Sequence, residues 1–216
     1  MQTGPVLLFI ICAASASAQR SIVVENEWVR IPKVTVQPGH ATGFHVHAMN
    51  RVMVYLDAGG QTVEMEAGGK NDETWRAGQA LWSPAIGRHR VIVSAPQPVT
   101  IVEIELRKPA APGGAELGEL DPLKVDPKHY GVELENEQVR VVRVRIPAGE
   151  TVPEHRHARK RVVVFLTDAD FEQTASGGHT VQARQKAGDV VWSEAVVTHR
   201  EVNRGGAFEG LMVELK

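Results

Sequence analysis

The chain has 216 residues, of which 24 are basic and 26 acidic, so its formal charge near neutral pH is only −2. Proteins that bind nucleic acid usually present a basic face, and this balance leads us to expect no nucleic-acid partner. Hydrophobic residues make up 43% of the sequence, which is ordinary for a globular protein. The length is compatible with one large domain or with two domains of about 100 residues each.

Residues 1–18 differ from the rest of the chain. An uncharged apolar run at 5–14 precedes the small residues at 16–18. Such a run before an A-x-A site is typical of a secretory signal peptide, so we predict cleavage after Ala18 and a periplasmic or secreted protein. A membrane span needs about 20 apolar residues, and we therefore expect none here. The alternative is a buried N-terminal strand.

The only cysteine, Cys12, lies inside this N-terminal run. It follows Ile11 rather than a small residue, which makes a lipoprotein the weaker alternative. Loss of the signal peptide would leave the mature protein without a disulfide or a thiolate ligand. Any metal site must then use histidine, carboxylate or water.

The sequence from Glu25 to Arg200 repeats itself at a fixed shift of 110 positions, without insertion or deletion. An acidic–Asn–acidic triplet, which we expect at a turn, begins each copy, and glycines, histidines, arginines and tryptophans recur at matched positions. The matched pairs are Glu25 and Glu135, Gly39 and Gly149, His45 and His155, His47 and His157, Arg51 and Arg161, Gly78 and Gly188, Trp82 and Trp192, and His89 and His199. A repeat of this kind indicates duplication of one domain.

The segment between the copies, 109–128, is rich in proline, glycine and aspartate, which is typical of linkers and turns. We therefore predict two domains at 19–108 and 129–216. Within them, runs rich in β-branched residues at 29–36, 139–146, 161–166 and 190–192 predict strands, and no segment has a convincing helical period. The expected fold class is all-β, a sandwich or barrel in each copy.

The chain contains nine histidines, six of which belong to the repeat. Side chains two positions apart on a strand share a face, so His45 and His47 point the same way, and His89 lies later in the same copy. Two imidazoles from one strand and one from another can hold a divalent transition metal such as Fe, Mn, Cu, Ni or Zn. The second copy offers the same set as His155, His157 and His199. A barrel without metal is the alternative.

These spacings resemble the two motifs of the cupins. Gly39, five residues, His45-x-His47, and the same pattern from Gly149, are similar to the first motif. Gly78 to His89, and Gly188 to His199 and Asn203, are similar to the second motif. The resemblance covers both copies and implies a bicupin, with two tandem antiparallel β-barrels of the double-stranded β-helix (jelly-roll) type. It also implies a metal in each barrel, held by three histidines and usually one glutamate. By position, the histidine ligands are His45, His47, His89, His155, His157 and His199.

The sequence departs from the cupin pattern where the motif has its glutamate, because Arg51 and Arg161 stand there. Strand alternation keeps both arginines on the histidine face. An arginine about 5 Å from a divalent cation repels it by roughly 6 kcal/mol at an effective dielectric of about 20. A carboxylate partner for the arginine, an anion that bridges arginine and metal, or the absence of metal would relieve this cost. The second motif also departs, with Glu194 in place of proline and Val93 in place of the final asparagine.

The leading functional hypothesis is a metal-dependent, dioxygenase-like enzyme that acts on a small, anionic organic substrate. Arg51 and Arg161 would orient a substrate carboxylate, although a structural ion pair is an equal alternative. Cupin dioxygenases with three histidine ligands imply that the missing glutamate does not exclude catalysis. Lyase and isomerase chemistry would use the same ligands. The alternatives are a non-catalytic periplasmic protein that binds metal or a small ligand, and a duplicated domain that has lost its chemistry. We expect Trp82 and Trp192 in the core, and a monomer or small homo-oligomer.

Overall fold

The computed structural model describes residues 18–108, 118–194 and 196–216. The predicted signal peptide therefore lies outside the described residues except for Ala18, and its cleavage stays a prediction, as does a periplasmic or secreted location. Residues 109–117 of the predicted linker also lie outside them. Within the described ranges, no helix has the length and apolarity that a membrane crossing needs.

Strands form nearly all of the regular secondary structure in the described ranges. The first half contains nine strands: β1 (Gln19–Glu25), β2 (Val29–Val36), β3 (His45–His47), β4 (Arg51–Tyr55), β5 (Gly59–Met65), β6 (Lys70–Trp75), β7 (Gln79–Ser83), β8 (Ile86–Val93) and β9 (Val99–Leu106). After α1 (Pro122–Val125), the second half contains β10 (Tyr130–Glu135), β11 (Val139–Ile146), β12 (Thr151–His157), β13 (Arg161–Phe165), β14 (Ala169–Ala175), β15 (Thr180–Gln185), β16 (Val190–Ser193), β17 (Val197–Asn203) and β18 (Phe208–Leu215). The predicted all-β class is confirmed.

Each half folds into two antiparallel sheets with the same strand order. The first half has a five-stranded sheet, β1-β2-β9-β4-β7, and a four-stranded sheet, β3-β8-β5-β6. The second half repeats this arrangement as β10-β11-β18-β13-β16 and β12-β17-β14-β15. Every sheet draws its strands from one half of the chain. The internal repeat in the sequence is thus a repeat of topology, whereas the exact domain boundaries stay a prediction.

The repeated acidic–Asn–acidic triplet forms the turn between the first two strands of each half. The side-chain oxygen of Asn26 accepts hydrogen bonds from the backbone N–H groups of Trp28 and Val29 at 2.8 and 2.9 Å. Asn136 accepts the equivalent bonds from Gln138 and Val139 at 2.8 and 3.0 Å. Asparagine favours such turns because its side chain bonds the backbone a few residues ahead. The expected turn is confirmed in both copies.

Both faces of strand β4 in the five-stranded sheet are buried. On β4, Val52 and Val54 belong to an apolar cluster that contains residues of both halves of the chain. Met53 and Tyr55 alternate with them and join a separate cluster between the two sheets of the first half. Arg51 has the parity of Met53 and Tyr55, and alternation therefore directs it into the barrel. The first core holds the two halves together, and the second fills one barrel.

Polar contacts between the halves also follow the repeat. Lys33 Nζ donates to the carbonyl oxygen of Gly188 at 2.8 Å. Its equivalent in the second half, Arg143, donates through Nη2 to the carbonyl oxygen of Gly78 at 2.6 Å. Each half thus offers the same patch to the other, as in an isologous dimer interface. The duplicated domains pair within one chain.

The described end of the predicted linker packs against the second half. The one-turn helix α1 begins after Asp121, whose side chain accepts a hydrogen bond from the backbone N–H of Leu123 at 3.0 Å. Arg140 is buried and donates to Asp121 at 2.8 Å and to Glu214 at 2.6 Å. The sequence gives no helical period here because a single turn is too short to show one.

Candidate metal centres

Three histidines of the first half meet at one end of the barrel interior. His45 and His47 lie on β3, and His89 lies opposite His45 on β8 in the strand register. The Nε2 atoms of His45 and His47 are 3.1 Å apart. The ring of His89 lies 4.5 Å from that of His45 and 5.3 Å from that of His47 between centroids. The structure thus brings together the three side chains that the sequence pattern grouped.

The second half repeats this arrangement with deeper burial. His155 Nε2 lies 3.0 Å from His157 Nε2 and 3.0 Å from His199 Nε2. His155 is opposite His199 in the register of β12 and β17, as His45 is opposite His89. All three side chains are buried, whereas in the first half only His89 is. In each half, one ligand nitrogen from each histidine lies within 4.8 Å of the others.

Backbone carbonyl groups fix the orientation of three of these rings. His45, His89 and His155 each donate Nδ1–H to the carbonyl oxygen two residues earlier, at 2.9, 2.8 and 2.9 Å. A carbonyl oxygen can only accept, so the proton of the neutral ring is on Nδ1 and the Nε2 lone pair points to the centre of the cluster. Histidines that bind metal are held in the same way by partners on the other ring nitrogen. The residues present therefore fit a divalent transition metal.

The surroundings of His47 and His199 favour the neutral imidazole, which is the form that binds metal. Burial, with the nearby charge of Arg51 as a smaller cause, lowers the pKa of His47 to about 3. Burial also lowers the pKa of His199 to about 3, helped by His155 and Arg161. A buried imidazolium is costly because the ion leaves water, and a second positive charge nearby adds to that cost. Proton competition at these nitrogens is therefore weak at neutral pH.

Arg51 lies beside the first cluster and is buried, with 6% of its surface exposed. Its Nε donates to Ser83 Oγ at 3.2 Å, and its Nη1 lies 3.9 Å from Glu103 Oε2. Nη1 makes no hydrogen bond to the described residues, so it can still donate one to an anion. A buried carboxylate thus lies near the guanidinium, which is one of the ways to offset its repulsion of a metal.

Arg161 occupies the equivalent place in the second half. It is buried, and its Nη1 donates to the carbonyl oxygen of Arg159 at 3.4 Å. Its charge adds to burial in lowering the pKa of both His157 and His199. Both arginines therefore lie near their histidine clusters, and a role in orienting a substrate stays a prediction.

Several polar side chains near the clusters were not predicted from the sequence, and three of them, Tyr130, Glu201 and Glu103, have no counterpart of the same type in the other half. In the second half, the hydroxyl of Tyr130 lies 3.5 Å from His155 Nε2 and donates to Glu201 Oε1 at 3.4 Å. Position 20 of the first half, which corresponds to Tyr130, holds an arginine, and Val91 corresponds to Glu201. Glu103 and Glu105 of β9 lie near His47 in the first half. The available signal was the presence of acidic residues inside otherwise apolar strands.

The two repeated tryptophans lie away from the histidines. Trp82 and Trp192 are partly buried and pack against the apolar cluster that joins the halves. The expectation that they belong to the core is confirmed.

Comparison with known proteins gives no match by sequence: no protein-family model and no curated protein matches the chain. Solved structures do match along nearly its whole length. The cupin 2 conserved barrel domain protein from Leptotrichia buccalis is 15% identical, with a TM-score of 0.57, and the match covers 96% of this chain and 93% of that one. A variant of Bacillus subtilis oxalate decarboxylase is 13% identical, with a TM-score of 0.63, and the match covers 93% of this chain and 73% of that one.

The chain has the bicupin fold. AerE from Microcystis aeruginosa is another structural neighbour of this bicupin, at 11% identity and a TM-score of 0.67, with 95% of each chain covered. Identities this low establish the shared fold and carry no activity from the neighbours to this chain. The resemblance of the sequence motifs to the cupins is thus confirmed at the level of architecture.

Proposed function

We propose that this bicupin binds a divalent transition metal in each histidine cluster. The convergence of the three imidazoles, with Nε2 atoms as close as 3.0 Å in the second half, carries the proposal. The carbonyl partners on Nδ1 support it, because they leave Nε2 lone pairs directed at one point. Imidazole ligands suit Fe, Cu, Ni and Zn, and Mn is the further candidate because it also binds carboxylate. The structural neighbour oxalate decarboxylase is described with Mn(II) centres, which makes Mn(II) the first metal to test.

We further propose that the metal-bound protein is an enzyme, dioxygenase-like in mechanism, that acts on a small anionic organic molecule. A metal with open positions supplies Lewis acidity or redox chemistry to a substrate beside it. The free Nη1 of Arg51 supports this reading, since a planar guanidinium suits a carboxylate. Burial of Arg51 excludes water from that contact and so strengthens it.

In the second half, the hydroxyl group of Tyr130 lies beside the histidine cluster. Tyr130 is buried, and burial raises the pKa of its hydroxyl well above the usual value, with Glu201 as a further cause. The hydroxyl proton is held toward Glu201 Oε1, while the other oxygen of that carboxylate, Oε2, accepts a hydrogen bond from Gln173 at 2.9 Å. The oxygen of a neutral phenol is thereby placed beside His155, where it can accept a hydrogen bond from a bound ligand.

A specific observation favours the alternative function for the second half. All three of its histidines are buried, whereas two of the three in the first half are partly exposed. Closed metal sites are typical of structural or storage roles, and open sites of catalysis. A non-catalytic site that binds metal or a small ligand is therefore the second candidate for this half.

Carboxylate titration of the Mn(II)-loaded protein tests the proposed enzyme site. We expect oxalate, or another small carboxylate, to perturb the electron paramagnetic resonance spectrum of bound Mn(II). Arg51→Gln combined with Arg161→Gln should abolish this effect while Mn(II) stays bound. Arg76→Gln, which removes an exposed arginine of the same barrel, is the matched control and should leave the effect intact. If no carboxylate perturbs bound Mn(II), the substrate-orienting role is refuted and the non-catalytic alternative is favoured.

A further inference from the structure

The two histidine clusters differ in the carboxylates near them. Ligand atoms of His47, Glu103 and Glu105 lie within 4.8 Å of one another in the first half. Among the described residues of the second half, the three histidines form a group of this kind and no such group contains a carboxylate. The two proposed metal sites are therefore chemically distinct, although their histidines and arginines match.

Glu105 has structural partners that account for its burial. Its carboxylate accepts a hydrogen bond from Arg30 Nη1 at 3.0 Å and lies 3.6 Å from Arg20. The strand register places Glu105 opposite Arg51, as it places Glu214 opposite Arg161. Glu214 likewise accepts from Arg140, the repeat equivalent of Arg30, at 2.6 Å. This glutamate is thus common to both halves and bonded to an arginine in each.

Glu103 has no such role. In the strand register Glu103 lies opposite Met53. The equivalent pair in the second half is Met212 opposite Val163, so Met212 takes the place of Glu103. Glu103 is buried, with 9% of its surface exposed, and its Oε2 has no hydrogen-bond partner. The nearest cation, Arg51 Nη1, is 3.9 Å away. A buried polar oxygen without a hydrogen bond is unfavourable, so Oε2 is available to a further partner.

We propose that Glu103 is a carboxylate ligand of the metal in the first half. The proposal rests on metal binding as proposed above and assigns a three-histidine, one-glutamate site to the first half and a three-histidine site to the second. The carboxylate comes from β9, not from the strand position where the cupin motif has its glutamate, which Arg51 occupies. Its negative charge also offsets the repulsion between Arg51 and a divalent cation.

The two sites should then prefer different metals. Carboxylate ligands suit Mn(II), whereas sites made of imidazole alone suit Zn(II) and Cu(II). We therefore expect Mn(II) to bind more tightly in the first half than in the second. Ligand loss should weaken binding by at least the roughly 10- to 100-fold that removal of an outer partner typically causes.

Proteins that keep one site at a time allow a direct test. His155→Ala with His199→Ala leaves the first site, and His45→Ala with His89→Ala leaves the second. Mn(II) binding to each is followed by the resonance signal of free Mn(II) and by calorimetry, with circular dichroism to verify the fold. We expect tighter Mn(II) binding at the first site, and Glu103→Gln should weaken it at least about 10-fold.

Two further variants complete this test. Glu66→Gln removes an exposed carboxylate of the same half and should leave Mn(II) affinity unchanged. Met212→Glu, made in the protein that keeps the second site, places the carboxylate at the equivalent position and should strengthen Mn(II) binding there.

The possible outcomes separate this inference from the proposed function. If neither site binds any divalent metal in the parent protein, the proposed function itself fails. If both sites bind Mn(II) equally, or a folded Glu103→Gln protein retains its affinity, metal binding stands and the role of Glu103 is overturned. The comparison of the two sites decides the matter even if Glu103→Gln does not fold.

Discussion

Acidification should destabilise the metal-free protein through its buried histidines, and His199 allows the size of the effect to be calculated. Burial lowers the pKa of His199 to about 3 from its ordinary value of 6.5, and only 7% of its surface is exposed. As pH falls below about 6.5, His199 becomes protonated in the unfolded chain. In the folded chain it stays neutral until the pH approaches about 3. Stability is therefore lost across this window as pH falls. Between pH 7 and pH 5 the loss is about 2 kcal/mol for this one group.

The assay is urea denaturation at pH 7 and at pH 5 in the presence of a chelator, which keeps metal from the imidazoles. A loss of about 2 kcal/mol corresponds to a decrease in melting temperature of about 4–8 °C for a chain of this size. His199→Gln removes the titrating group and should reduce the pH dependence by that amount. His179→Gln, at an exposed histidine, is the control and should retain the full dependence. Equal pH dependence in all three proteins would show that His199 is protonated as easily in the folded state as in the unfolded one.

Three further predictions concern the packing around the sites and the metals themselves. The side-chain amide of Asn203 donates to three backbone carbonyl oxygens at 2.7–3.2 Å. Asn203→Ala should therefore lower the free energy of unfolding by about 2–4 kcal/mol. A loss below about 0.5 kcal/mol in urea denaturation would contradict this. Arg140→Met removes the arginine that pairs with the buried Asp121 and Glu214, and should lower the free energy of unfolding by about 3–5 kcal/mol in the same assay. Arg145→Met, at an exposed ion pair, is the control and should lower it by at most about 1 kcal/mol. A divalent metal at 100 times its dissociation constant should raise stability by about 2.7 kcal/mol for each site that it fills, and a chelator should reverse the gain; an unchanged melting temperature would exclude specific binding to the folded state.

The fold and the grouping of the histidines were accessible from the sequence because both follow from local regularities. The shift of 110 positions establishes the duplication, and runs rich in β-branched residues establish the strands. Alternation along a strand fixes that His45 and His47 share a face. The second motif contributes His89, which the register places directly opposite His45.

The carboxylates near the histidines and the apolar core between the halves could not be predicted from the sequence. Glu103 approaches His47 only because β9 and β3 belong to facing sheets, and no short-range pattern encodes that proximity. The strand register makes Met212 its equivalent in the second half, so a comparison of the two copies does not single out Glu103. Val52 and Val54 pack against the other half of the chain, which makes β4 apolar on one face and functional on the other.

Metal content per chain tests the central claim most directly. Elemental analysis should use protein purified without an affinity tag or chelator, beside the double variant His45→Ala with His155→Ala, which removes one ligand from each cluster. The account predicts about two equivalents of a divalent transition metal per chain, lost in the variant. Absence of metal from the parent protein, even after reconstitution with each candidate ion, would contradict it and leave a bicupin fold that binds something other than metal.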